Sequence, residues 1–448
     1  MDREKILRRS RILVSLILVF LIIFMYLLFR RGSALPGLSV QSDEVREDAL
    51  DKIKRQETIE GKITDCRGQI LSEASEPGAG AVLVFPEIYS YLLGYNSRIY
   101  GTYGLRGRYG NYLYMQGKDK TGATIKLTLD HNLQALAYDQ VRDTDASMVV
   151  LEVSTGRILA LASSREDTMF NANELTAENM EEWNKTDGLF YPNGYKDPAE
   201  PGSVFKVVTA SAVLEQGADQ TTVVDKGSQK IGGRMISNSK KTPRGEIGLQ
   251  EALGYSSNIY FAQKAVDMGG EVLKHKMEDY LIGQEIPLDF TTIRSNIDLG
   301  DFQENLVAET GFGQGNTLIT PLHLAMIGQS IANGGVMLKP YMVDQISLDD
   351  KILYQGSGEQ LAAPLDKETA EKLKALLKNV SADYYHLPEE GICSKTGTAQ
   401  LPDNMVKQYY LSFDEDYVVL MARKAKKGFG IDLKGYVMNI YEYLREKE

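Results

Sequence analysis

Residues 200–217 read EPGSVFKVVTASAVLEQG, and the fold turns on why Ser203 and Lys206 stand at the head of an otherwise apolar run. Val204, Phe205, Val207, Val208, Ala210, Ala212, Val213 and Leu214 surround them, so the segment predicts a helix enclosed by protein on nearly every side. At helical spacing a residue and its third neighbour share a face, which places the Ser203 hydroxyl one turn from the Lys206 amine. Pro201 fixes the entry, and Gly202 lets another backbone approach closely. Ser203 falls in the first turn, where free N–H groups and the helix dipole favour developing negative charge. A lysine in an apolar setting loses solvation of its charged form, so its pKa falls and it can accept the serine's proton. The pair reads as nucleophile and base. The plainer reading is a serine N-cap with the lysine reaching outward. Spacing alone does not choose: Ser237 and Lys240 stand equally far apart in SNSK, among Gly232, Gly233, Pro243 and Gly245, where a loop is expected.

The chain has 448 residues, enough for two or three domains with real cores. Residues 12–29 form an apolar run of 18, preceded by Arg3, Lys5, Arg8, Arg9 and Arg11 and followed by Arg30 and Arg31. That length predicts a membrane-spanning helix with residues 1–11 in the cytoplasm and the rest on the far side. A cleaved signal peptide is the alternative, but its apolar core is usually shorter and ends in small residues. Residues 1–31 carry +5 and the whole chain −11, leaving −16 for the remainder. So acidic a body has no general affinity for nucleic acid or anionic lipid. Cys66 and Cys393 are too few and too far apart for a disulfide framework, and the four histidines lack ligand spacing. No metal or organic cofactor is expected.

Residues 32–54 read as a juxtamembrane linker. GKITDCRGQILSEA predicts a hairpin turning at Cys66-Arg67-Gly68, and the Tyr/Gly-rich run after it predicts short strands and turns. Ile125, Leu127 and Leu129 alternate as in a strand, with Asp130 capping a helix. SMVVLEVSTGRILALASS predicts a hairpin suited to the middle of a sheet, and Thr320 with Pro321 marks a helix start. YVVLMARK predicts a strand and KGYVMNIYEYLREKE a helix, giving an α+β module whose sheet is closed by both ends of the chain.

Two further motifs follow the Ser-x-x-Lys. Ser256-Ser257-Asn258 lies in LGYSSNIYFAQKA, and Lys395-Thr396-Gly397 in CSKTGTAQ. A second Lys-Thr-Gly at residues 120–122 precedes the serine and reads as a turn entering a strand at Thr124. In this order the three motifs resemble the penicillin-binding proteins and serine β-lactamases. Within them the closer resemblance is to class B, the monofunctional transpeptidases with one membrane anchor and a non-catalytic N-terminal pedestal. TGFGQGNTLITPLHLAMIGQSIANGG is similar to the corresponding stretch of those enzymes.

The resemblance implies a transmembrane helix, a small mostly β pedestal over residues 55–123, and a penicillin-binding transpeptidase domain over 124–448 with an antiparallel sheet flanked by helices. Ser203 would attack the penultimate D-alanine carbonyl of a peptidoglycan stem peptide ending in D-Ala-D-Ala, Lys206 taking its proton. Ser256 would relay a proton to the leaving amine, and Asn258 would hold Lys206 and the substrate amide. Lys395 would face the terminal carboxylate, with Thr396 and Thr398 offering hydroxyls. The oxyanion would sit between the backbone N–H groups of Ser203 and Thr398, and Gly397 would let the strand edge lie against an extended peptide. An amine from a neighbouring strand would then take the acyl group. β-Lactam antibiotics would acylate the same serine, and a membrane-embedded glycan polymerase is the implied partner. A β-lactamase or β-lactam sensor, and a non-catalytic scaffold for such a polymerase, are the alternatives. The polar segment after Lys-Thr-Gly-Thr predicts a trimmed C-terminal sheet.

Overall fold

A five-stranded antiparallel sheet organises the molecule, in the order Cys393–Leu401, Met405–Phe413, Tyr417–Lys426, Ala146–Glu152, Ile158–Ser164. The computed structural model describes residues 55–166, 170–387, 391–428 and 432–447. The membrane helix expected at 12–29 and the linker at 32–54 lie outside the described residues. Among the described residues no helix is long and apolar enough to cross a membrane.

Both sheet faces are covered, which explains why its strands are nearly continuous apolar runs. Met148, Val150, Val419 and Met421 face the helices His131–Val141 and Leu433–Arg445. Val149, Leu151, Val418 and Leu420 alternate with them and join the larger core around Lys206–Glu215 and Pro321–Ala332. The expected helix starts are in place: Asp130 accepts from the N–H groups of Asn132 and Leu133, and Thr320 accepts from that of His323. The predicted hairpin forms, but only Ala146–Glu152 is interior. Ile158–Ser164 is a sheet edge.

The expectation of a trimmed C-terminal sheet is corrected. The strand that holds the Lys-Thr-Gly motif has 9 residues and the two after it have 9 and 10, and what is short is the turns between them. Polar residues obscured this because one of them, Lys407, is buried in an ion pair with Asp197 at 3.0 Å.

A second, six-stranded sheet runs Lys351–Gln355, Val343–Leu348, Thr124–Leu127, Ile63–Thr64, Ile70–Glu73, Val82–Leu83. The hairpin at Cys66-Arg67-Gly68 is present, and Ile63 pairs in parallel with Ile125. The Tyr/Gly-rich run differs from expectation: it contains the helices Pro86–Leu93, Gly104–Arg108 and Gly110–Leu113 beside two three-residue strands. Its aromatic residues serve the core, where Tyr103 packs edge-on against Phe170 and Phe190, and Phe170 against Trp183. The N-terminal part is therefore mixed α and β.

Candidate active site

Ser203 sits in a single 3-10 turn, Gly202–Phe205, that leads directly into the helix Lys206–Glu215. Gly202 has φ +56°, and a Cβ there would stand 2.7 Å from the Thr398 carbonyl carbon. Only glycine lets the serine turn lie this close to the Lys-Thr-Gly strand. Gly397 is required from the other side, because a Cβ would meet Val204 Cγ2 at 2.8 Å and Pro201 O at 3.2 Å. Gly397 thus has a reason that was not expected: it admits the nucleophile turn.

The Ser-x-Asn motif is the elbow between two helices. Ser256 ends Leu249–Tyr255 in the left-handed conformation (φ +54°), and Ser257 caps Asn258–Met268 by accepting from the Tyr260 N–H. A non-glycine residue held left-handed costs energy that the surrounding contacts must offset. Here it turns both the carbonyl and the hydroxyl of Ser256 toward Lys206.

Lys206 is fully buried, and its Nζ lies 2.9 Å from Ser203 Oγ, 2.7 Å from Ser256 O, 3.0 Å from Ser256 Oγ and 2.8 Å from Asn258 Oδ1. The orientation of the Asn258 amide follows from its other end, where Nδ2 donates to Ser237 O at 2.9 Å. Two of the four neighbours, the Ser256 carbonyl and Asn258 Oδ1, can only accept. A neutral amine satisfies both with its two N–H bonds and keeps its lone pair for a hydroxyl proton. The Lys206 pKa is driven well below the usual lysine value, first by burial and then by the Lys395 charge, against the opposing pull of Asp225. Among the described residues neither Lys206 nor Lys395 has a carboxylate in ion-pair contact.

Lys395 is also fully buried. Its Nζ donates to Ser256 Oγ at 3.1 Å, Tyr385 OH at 3.1 Å and Thr396 O at 3.2 Å. Ser256 Oγ thus bridges the two lysines. Thr398 is exposed to the cleft while Gly397 and Ala399 are buried, the alternation of a strand. The cleft, of about 1340 Å3, is lined by Ser203, Ser256, Asn258, Thr396, Gly397 and Thr398. All eight expected residues therefore meet in one place.

Three participants were not anticipated. Tyr385 bonds Lys395, the Thr396 hydroxyl at 3.0 Å and the Thr396 N–H at 3.3 Å. Burial pushes its phenol up, but the Lys395 ammonium and these hydrogen bonds outweigh that and hold it below the ordinary tyrosine value. Asp225, buried, accepts from Ser257 Oγ at 2.6 Å and from Asn238 Nδ2 at 2.9 and 2.8 Å. Asn238 in turn accepts from the Asn258 N–H at 2.8 Å. Asn238 belongs to the SNSK stretch, whose Ser237 ends the strand Arg234–Ser237 rather than lying in a loop. The stretch that imitates the nucleophile motif is a wall of the site, and its side-chain amide was the available signal.

Residues 146–428 match the penicillin-binding protein transpeptidase domain. The chain belongs to this family. It is 28% identical over 398 residues to the peptidoglycan D,D-transpeptidase PbpA of Mycobacterium tuberculosis, covering 78% of each chain. With penicillin-binding protein 3 of Bacillus subtilis the identity is 28% over 320 residues, and the match spans 47% of that protein, about half its length. Among solved structures, the D,D-transpeptidase domain of a peptidoglycan glycosyltransferase from Eggerthella lenta superposes with a TM-score of 0.78 at 25% identity, covering 88% of this chain and 100% of that one. The imipenem acyl-enzyme of penicillin-binding protein A from M. tuberculosis shares the fold at a TM-score of 0.77 and 23% identity, covering 88% of this chain and 99% of that one.

Proposed function

We propose that the protein is a class B peptidoglycan D,D-transpeptidase, held in the cell membrane by residues 12–29 with its catalytic part outside the cytoplasm. The observation that carries this reading is the buried amine of Lys206 at 2.9 Å from Ser203 Oγ, with two neighbours able only to accept. Lys206 takes the serine proton as Oγ attacks the D-alanine carbonyl, and the terminal D-alanine leaves with a proton passed through Ser256. Asn258 orients Lys206. Lys395 faces the substrate carboxylate with Thr396 and Thr398, and Gly397 keeps the strand against the serine turn. Backbone N–H groups of Ser203 and Thr398 hold the oxyanion, where one such donor is worth about 2.7–4 kcal/mol. Residues 55–123 are the pedestal, and stem peptides, β-lactams and a membrane-embedded glycan polymerase are the partners.

The test is intact mass of the full chain in detergent, followed over time with benzylpenicillin beside Ser203→Ala. A single lasting adduct, absent from the variant, is expected. An adduct that disappears as the drug is consumed overturns the reading in favour of a β-lactamase, and no adduct overturns the serine chemistry.

A further inference from the structure

The first half-reaction leaves a problem of proton number. The acceptor arrives as an ammonium, R–NH3+, and ends as an amide N–H, so its nitrogen gives up two protons. One returns to Ser203 Oγ as the ester C–O bond breaks, and the Lys206–Ser256 pair is placed to carry it. The other must leave before attack, because a protonated amine has no lone pair. Hydrolysis makes no such demand: water attacks as it stands, and one proton to Ser203 completes it.

A second cavity, of about 1030 Å3, adjoins the cleft, and the two share only Glu200 and Gln400 among their lining residues. None of the eight motif residues lines this second cavity. Glu200 stands three residues before the nucleophile, with its backbone carbonyl accepting from Tyr409 OH at 3.0 Å. Among the described residues its carboxylate has no hydrogen-bond or ion-pair partner, whereas Glu309 is paired with Arg234 at 2.7 Å and Asp197 with Lys407 at 3.0 Å.

Building on the transpeptidase reading, we infer that Glu200 is the acceptor-side base: a primary amine enters through the second cavity, and the Glu200 carboxylate binds its ammonium and removes the first proton. The nitrogen then attacks the acyl-enzyme carbonyl, the C–O bond to Ser203 breaks, the second proton reaches Oγ through Ser256 and Lys206, and Glu200 releases its proton to solvent. The surroundings suit the role. Glu309 from Glu304–Gly311 and Tyr409 from Met405–Phe413 interact with it electrostatically, and Arg234, Asp197 and Lys407 line the two cavities that it joins. Burial, then the charge of Glu309, pushes the Glu200 carboxyl up to about 7, where a group both takes and releases protons near neutrality.

The experiment uses the full chain, a thioester analogue of an acyl-D-alanine donor and D-alanine as amine acceptor, and reads the ratio of amide to hydrolysed product against pH. In the wild type the ratio rises through an inflection near the Glu200 pKa. Glu200→Gln is expected to lower the ratio about tenfold or more and to abolish that inflection, while Glu200→Asp retains it. Glu309→Gln, which removes a charge that raises the Glu200 pKa, moves the inflection to lower pH. An unchanged ratio and inflection in Glu200→Gln, or equal loss of aminolysis and hydrolysis, overturns the inference. Should the wild type form no acyl-enzyme with the donor or benzylpenicillin, it is the transpeptidase reading that fails. If Glu200→Gln does not fold, as judged by loss of its benzylpenicillin adduct, the Glu309→Gln inflection decides: no shift overturns the role of Glu200.

Discussion

Lys206 works only while it is neutral, and its neutrality has two principal causes, burial and the charge of Lys395. Acylation by benzylpenicillin should therefore fall as pH drops below the depressed lysine value, by tenfold per unit once the ammonium dominates. Lys395→Gln removes one of the two depressing influences, so the Lys206 pKa rises and the acid limb moves to higher pH, beneath a lower maximal rate. Stopped-flow acylation across pH measures both effects, and a limb that stays put or moves down would show that Lys206 is not the titrating base. The sequence carried this site unequally. Ser203 and Lys206 are three apart, so helix geometry alone brings them together, and Ser256, Asn258 and Lys395 are marked by their motifs. Tyr385, Asp225 and Asn238 were not legible: each reaches the cluster through tertiary contacts between residues 10 to 32 apart in the bonds concerned, and the SNSK stretch that holds Asn238 reads as a loop.

Elements rather than single residues set the position of Asn258. The turn after Arg234–Ser237 is tied to the elbow before Asn258–Met268 by Asn238, which also supplies two of the bonds to buried Asp225. Asn238→Ala leaves the Asn258 N–H without that acceptor and Asp225 with the Gly227 N–H and Ser257 hydroxyl as its remaining donors. Losing one partner of a buried polar group costs about 1–3 kcal/mol. The variant should melt at lower temperature and acylate roughly tenfold more slowly as Asn258 loses its hold on Lys206, a change of about 1.4 kcal/mol in barrier. Melting that drops while the acylation rate stays constant would limit Asn238 to stability. Element type was easiest to read where the period was clean, as in the Thr320-Pro321 helix start. It was misread where polar side chains are buried in pairs, as at Lys407, or where tyrosines supply core volume within short helices.

At the scale of the whole molecule the expected boundary at residue 123 runs through a shared sheet. Ile63 and Thr64 pair with Ile125 and Lys126, and Thr124–Leu127 pairs in turn with Val343–Leu348. Tyr109 donates to Asp289 O at 3.1 Å, and Asp289 accepts from the N–H groups of Met342 and Val343 at 2.7 and 2.6 Å. Residues 58–448 are one compact unit by their contacts, so the N-terminal part and the catalytic sheet should unfold together. Glu60 offers a lever far from the serine: it is buried, paired with Arg106 through two bonds of 3.0 Å, and also accepts from Tyr114 OH and the Ala81 N–H. Glu60→Gln keeps the shape and removes the charge, leaving the buried guanidinium uncompensated at a cost of about 3–5 kcal/mol. Because the six-stranded sheet crosses that boundary and residues 58–448 form one compact unit, that loss should lower the temperature at which acylation competence disappears by as much as it lowers the melting temperature, in one transition. A variant whose N-terminal part melts first while acylation persists would instead establish residues 58–123 as an independent folding unit.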